Sequence, residues 1–172
     1  MLDSRAQPRD YFFDGNTTIL QDKRTGKPTS GKSLIFMSAR RGGRLLYALD
    51  VSNVAEPRYL WSLTNDQVPE LGQTWSQAQL TLIKGHSNPV LILGAGYDPA
   101  EDQEPAPATN SQGRGILILD AMTGGVLWAA LADCTGVTVA TGGHCETVSA
   151  MTKSFPADVT VLDKDLDGFT DR

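Results

Sequence analysis

The chain has 172 residues and a formal charge of −5, with 15 Lys and Arg against 20 Asp and Glu. That acid excess argues against a nucleic-acid-binding domain, which needs a basic face, and 40% hydrophobic residues is too many for a disordered chain. Fifteen of the acids are Asp and five are Glu, beside 17 Gly and 9 Pro. Asp, Gly and Pro serve turns and oxygen-ligand loops, whereas Glu serves helix interiors, so the composition predicts many short strands rather than helices. No run reaches the roughly 18 to 20 apolar residues of a membrane helix; the apolar runs, such as Ile116 to Leu119, are strand-sized. The start, Met1-Leu-Asp-Ser-Arg-Ala-Gln-Pro8, lacks the apolar core of a signal peptide. The expectation is a cytosolic protein or an internal piece of a longer one.

In chain order, Phe13 to Leu20 opens on an aromatic residue and runs into an alternating strand. Leu34 to Ala39 is a contiguous apolar strand, and Gly43-Arg44 opens a third that ends at Asp50. A connection carrying Pro57 leads to a fourth, ending in Leu60-Trp61. The same series then recurs: Trp75 to Ile83, Val90 to Gly96, Gly113-Arg114 to Asp120, the Gly-containing turn 121–125, and a strand through Leu127-Trp128. Gly, Arg and Asp of the third strands share one offset of 70 residues. Phe155 to Leu162 begins the series again.

Four antiparallel strands per repeat describe a propeller blade, which is apolar on both faces and stacks on its neighbours. The fold class expected is therefore all-β, with blade units at about 11–63 and 73–131 and the start of a third at 155–172. A generic β-sandwich is the alternative. Two and a half units cannot close a ring, which predicts a piece of a larger, incomplete propeller. Segment 98–112, acidic and Pro-rich, reads as a mobile surface loop inserted between strands.

Three motifs bear on chemistry. Gly26-Lys-Pro-Thr-Ser-Gly-Lys-Ser33 matches the phosphate-binding P-loop letter for letter. That loop must open a helix, and Leu34-Ile-Phe-Met shows no 3.6-residue period, so a hairpin loop is the better reading. Cys134 and Cys145 flank a Gly- and Thr-rich stretch. A disulfide, two free thiols, and a metal site shared with His144 are all open from the sequence, the last lacking a fourth soft ligand. His86 and His144 read as turn and loop residues, and Trp61, Trp75 and Trp128 as core anchors.

The third motif is Asp163-Lys-Asp-Leu-Asp-Gly-Phe-Thr-Asp171. Acids at positions 1, 3, 5 and 9 with Gly at 6 match the start of an EF-hand-type calcium loop. Alternate spacing lets carboxylates converge while Gly168 takes the sharp turn. The predicted ligands are Asp163, Asp165, Asp167, the Phe169 carbonyl and Asp171, and the predicted ion is Ca2+. Val159 to Leu162 reads as the strand that leads into the loop; a solvated acidic turn is the alternative.

Tyr11-Phe-Phe-Asp-Gly15, Arg44 to Val51, Leu71-Gly-Gln-Thr-Trp-Ser76, Pro89 to Asp98 and Ala157 to Arg172 together resemble the C-terminal β-propeller domain of the type IV pilus-associated PilY1/PilC family. Met37-Ser-Ala-Arg-Arg41 departs from it, standing where the family has a more Gly-rich strand end. The resemblance implies a modified seven-bladed propeller and a non-enzymatic factor at the pilus or cell surface, on the outer-membrane side of a Gram-negative bacterium. It implies a calcium site that regulates pilus extension and retraction, twitching motility and adhesion, with the same five ligand positions. It implies partners among the pilus components (minor pilins) and host or abiotic surfaces. It also implies an oxidising compartment, in which a Cys134–Cys145 disulfide is expected. The rhythm from Asp120 to Trp128 also resembles quinoprotein (PQQ-dependent) dehydrogenase propellers, the competing enzymatic reading. Such enzymes often carry adjacent cysteines, and these lie eleven apart.

Overall fold

The structure, a computed structural model, describes residues 11–23, 25–27 and 30–171. The first sheet comprises β1 (Thr17–Gln21), β2 (Ser33–Ser38), β3 (Leu45–Asp50) and β4 (Arg58–Thr64), antiparallel and in sequential order. The second comprises β5 (Gln79–Thr81), β6 (Val90–Gly94), β7 (Gly115–Asp120), β8 (Val126–Leu131) and β9 (Val139–Thr147). Two short 3-10 turns, Arg40–Gly42 and Pro99–Asp102, are the only helical elements among the described residues. The all-β expectation is met by two sheets; no closed ring is present among the described residues.

The first four strands of each sheet pair in matching register. Ile35 pairs with Leu49 as Leu91 pairs with Leu119, and Phe36 pairs with Ala48 as Ile92 pairs with Ile118. Trp61 pairs with Ala48 as Trp128 pairs with Ile118. A register shift falls at the same place in both sheets, between Ala48 and Leu49 and between Ile118 and Leu119.

Because side chains alternate across a strand, each sheet has two apolar faces. One face of the first sheet carries Leu34, Phe36, Leu46, Ala48, Trp61 and Leu63, all buried. These join Leu91, Leu93, Leu117, Leu119, Val126 and Leu131 of the second sheet in a single core. The Trp61 indole N–H donates to the Ala121 carbonyl at 3.0 Å, and its ring lies over Gly124 so closely that a Cβ there would stand 2.5 Å from it. Gly124 also has φ +72°, so the tight turn requires glycine twice over.

The Gly-Arg pairs acquire a purpose from this stacking. Both arginines reach the connection between the sheets: Arg44 donates to the carbonyls of Pro69 and Leu71, and Arg114 forms a two-pronged ion pair with buried Glu70. The chain then crosses each sheet at the equivalent glycine, the Thr74 N–H donating to Gly43 O and the Phe155 N–H to Gly113 O.

Four expectations need correction. Residues 135–144, read as a loop between the cysteines, are mostly strand: β9 pairs parallel to β8, so His144 is a strand residue opposite Trp128. Gly142 and Gly143 disguise the strand as a loop in sequence. Val159 to Leu162 is not a strand, because no strand pairs with it among the described residues. The 98–112 segment is pinned rather than free-standing: buried Asp98 accepts from Ala100 N and Ser111 N, and Lys153 bonds Glu101 Oε1 and the Pro107 carbonyl. His86 does more than fill a turn, since its Nε2 lies 2.7 Å from the Asp120 carboxylate.

The P-loop match falls partly outside the described residues, at Pro28 and Thr29. Its Ser33 opens β2, and the Lys32 ammonium pairs with Asp50 at 2.7 Å. The Cys134–Cys145 disulfide is formed and ties the turn after β8 to β9.

Candidate metal loop and relatives

The acidic loop begins where the chain, having crossed the second sheet at Phe155, runs beside β5. The Gln77 N–H donates to Asp158 Oδ1 at 2.7 Å, and the Thr170 N–H donates to the Leu82 carbonyl at 2.8 Å. The Asp171 N–H closes the loop on the Leu162 carbonyl, also at 2.8 Å. Thr81 and Thr170 share a hydroxyl hydrogen bond across the same contact. These bonds fix both ends of the loop against the sheet.

Inside it, carboxylates gather backbone N–H groups. Asp163 accepts from Asp167 N and Gly168 N, at 3.2 and 2.7 Å. Asp167 Oδ1 accepts from Phe169 N at 2.9 Å, and Asp171 Oδ2 from Lys164 N at 2.9 Å. Gly168 has φ +88°, the left-handed conformation expected at the sharp turn, and Leu166 joins it at φ +60°. Leu166 is 85% exposed, so the turn places an apolar side chain in solvent to bring its acidic neighbours together.

Asp163, Asp165 and Asp171 each offer a carboxylate oxygen, and the three oxygens lie within 4.8 Å of one another. Oxygens about 2.4 Å from a common centre can be that far apart, so the set fits a hard cation of calcium's size. The structure therefore brings together three of the five residues predicted as ligands. Asp167 is engaged elsewhere: its carboxylate meets the Lys84 ammonium at 2.7 Å, and Asp165 lies 3.6 Å from the same group. Phe169 is half-buried and turns its N–H toward Asp167. The hydrogen bond from Lys84 holds the Asp167 carboxyl below the ordinary carboxylate range, and the same bond holds Lys84 above the ordinary ammonium value.

Lys84 is the residue that sequence reasoning missed. It comes from the turn after β5, 83 residues before Asp167, and only the stacking of the third segment on the second sheet brings them together. The recurring placement of Lys84-Gly-His-Ser-Asn-Pro89 between the first two strands of its unit was the one available signal.

No family model matches the chain. Over 117 residues it is 30% identical to the type IV pilus biogenesis factor PilY1 of Pseudomonas aeruginosa, in both strain PAO1 and strain PAK. The match covers 67% of this chain and 9% of those proteins, so the chain spans about a tenth of the relatives' length. The crystal structure of the P. aeruginosa PilY1 C-terminal domain superposes with a TM-score of 0.61 and 23% identity, over 92% of this chain and 27% of that one. The likeness to PilY1 expected from the motifs is therefore shown, in sequence over two thirds of the chain and in backbone over nearly all of it.

Proposed function

We propose that this chain is a segment of a β-propeller in a type IV pilus-associated, surface-exposed protein, that it is not an enzyme, and that its 163–171 loop binds calcium. The propeller reading is supported by the way the sheets stack. The face of the second sheet that meets the first is built from Leu91, Leu117 and Leu119, the repeat equivalents of Ile35, Tyr47 and Leu49 on the first sheet's opposite face. Like face meets unlike face, so each sheet relates to the next by the same operation, as blades around an axis do. The pilus association comes from the likeness to PilY1, a type IV pilus biogenesis factor.

The observation that carries the calcium reading is the convergence of Asp163, Asp165 and Asp171. Three carboxylates within one small loop repel one another unless a cation lies between them, and carboxylate oxygens suit calcium better than magnesium, which retains more of its water. Bound calcium would be held by these three, with Asp167 and the Phe169 carbonyl completing the set. Its work would be to hold the loop against β5 and so to regulate extension, retraction, twitching motility and adhesion through partners among the pilus components, rather than to catalyse.

Titration calorimetry with calcium tests the site. The wild-type chain should bind one ion, and Asp165→Ala should weaken binding at least tenfold while leaving the far-ultraviolet circular dichroism unchanged. Equal binding by the two proteins refutes the assignment. In the longer pilus protein the same substitution should disturb motility without lowering the amount of protein made.

A further inference from the structure

The connection 82–89, between β5 and β6, is tied at both ends to other parts of the molecule. At its start the Leu82 carbonyl accepts from Thr170 N at 2.8 Å, and the Lys84 ammonium meets Asp167 Oδ2 at 2.7 Å and lies 3.6 Å from Asp165 Oδ2. At its end His86 Nε2 and Asn88 Nδ2 both reach Asp120 Oδ2, at 2.7 and 2.9 Å, and the Pro89 carbonyl accepts from Ala121 N at 3.0 Å. The other Asp120 oxygen accepts from Met122 N and Thr123 N. This is the turn whose Ala121 carbonyl receives the Trp61 indole of the first sheet. One short connection thus joins the acidic loop to the contact between the two sheets. Within it, the His86 N–H donates to the Ile83 carbonyl at 3.4 Å, a long bond, so its shape depends on the two ties.

Lys84 and a bound ion cannot both keep their places. Asp165 faces the lysine and is also one of the three carboxylates that converge for a cation. An ion held by Asp165 would stand beside the ammonium, and like charges at such range repel. Calcium also prefers six to eight oxygens. One oxygen from each of Asp163, Asp165 and Asp171 with the Phe169 carbonyl falls short of that, so the ion draws on Asp167, whose Oδ2 faces Lys84. The two effects act in the same direction. The Lys84 side chain is 61% exposed, so its ion pair is weak and its release into water is easy.

We propose that calcium acts here by exchange of cations: its binding displaces Lys84 from the acidic loop, and the 82–89 connection, released at its lysine, carries the change toward the Asp120 turn. The inference rests on the calcium reading and adds how that site is read out. It requires two changes of opposite sign, the loop becoming more ordered and the connection less so. An ion that only stiffened its surroundings would order both.

Amide exchange of the chain with and without saturating calcium, resolved by nuclear magnetic resonance, tests it beside calorimetry on the same samples. Calcium should slow exchange across 163–171 and hasten it by about twofold or more at 84–88, the scale that loss of an exposed ion pair allows. In Lys84→Met the 84–88 amides should already exchange at the faster rate, and calcium should leave them unchanged while still slowing 163–171. Lys32→Met, whose lysine serves the first sheet, should behave as the wild type does. Calcium that binds by calorimetry yet slows 84–88, or leaves it unchanged, in the wild type overturns this inference and leaves the calcium reading standing. So does a Lys84→Met protein in which calcium still hastens exchange there. No calcium binding at all overturns both.

Discussion

Trp61 and Trp128 hold the same place in their sheets. Each ends a Leu-Trp pair, and each is opposite the equivalent residue of the third strand, Ala48 or Ile118. Yet Trp61 is 6% exposed, stacked near Phe36 and bonded to the Ala121 carbonyl, while Trp128 remains partly open. The turn that Trp61 covers is tight and contains Gly124; its counterpart after β3 is longer and leaves Val54 86% exposed. The difference teaches that a strand's own sequence makes it fit to be buried on both faces, and the neighbouring sheet decides which face is. The sharpest way to break the comparison is to truncate both indoles. Trp61→Ala should cost about 3 to 5 kcal/mol, the usual range for emptying a buried aromatic site. Trp128→Ala should cost about 1 to 2 kcal/mol, because less apolar area leaves water there on folding. Urea unfolding measures both, and equal losses would show that the two sheets are packed alike after all.

The sheets also differ at their outer edges. The first ends at β4, whereas the second gains β9, clasped by the Cys134–Cys145 bridge. Closing a loop of this length is worth about 3 kcal/mol in the chain-entropy account. Replacing both cysteines by serine should lower stability by about that amount. It should also be uneven: amide exchange should accelerate across β9 and the β8 edge while β1 to β3 keep their protection. Uniform acceleration would mean that the clasp acts on the whole molecule.

The four-strand series was legible because it is local: apolar runs, Gly-containing turns and the Gly-Arg start all lie within one strand and its hairpin. β9 was not legible, since Gly142 and Gly143 at its middle are poor strand formers and its support is a parallel partner and a covalent clasp. Val159 to Leu162 failed the other way: a sequence fit for a strand has no partner among the described residues, and pairing makes a strand. At the acidic loop, Asp171 takes the place in the group that the spacing gave to Asp167, while the approach of Asp163 and Asp165 followed from alternate spacing and from Gly168. The claim of Lys84 on Asp167 did not, because it depends on how one segment lies on another.

That lysine sharpens the comparison between the two connections that follow the first strand of each unit. In the first, Lys32 serves a carboxylate of its own sheet, Asp50; in the second, Lys84 reaches out to the next segment and pairs with Asp167. A cation there neutralises part of the loop and competes with a bound metal for Asp167. Lys84→Met should therefore tighten calcium binding by a few-fold, whereas Lys32→Met should leave it unchanged. Calorimetry reads both, and weaker binding in Lys84→Met would mean that the lysine positions Asp167 instead of occupying it.

The smallest expected effect lies at Asp50 and Asp120, which end β3 and β7 at equivalent positions. Both carboxyls are held below the ordinary value, for different reasons. Asp50 is lowered to about 2 by the hydrogen bond from Lys32 and then by those from Ser52. At Asp120 burial pushes the value up, and hydrogen bonds from Asn88, His86, Thr123 and Met122 outweigh it. A carboxyl with a lowered folded-state value stabilises the fold fully above its unfolded value near 3.8, and that contribution is lost as pH falls through the folded value. For Asp50 the loss runs from about pH 4 down to about pH 2. Lys32→Met should raise the Asp50 value and flatten the acid limb of the stability curve in this window. Because the Lys32 side chain is 40% exposed, the change at pH 7 should be only about 0.5 kcal/mol. Asp120 draws its hydrogen bonds from residues of its own sheet, so its share of the acid limb should persist in the Lys32→Met protein. Urea titrations at pH 7, 4 and 3 separate the two carboxylates. An acid limb unchanged by Lys32→Met would mean that the Lys32–Asp50 pair contributes nothing to the acid sensitivity of the fold.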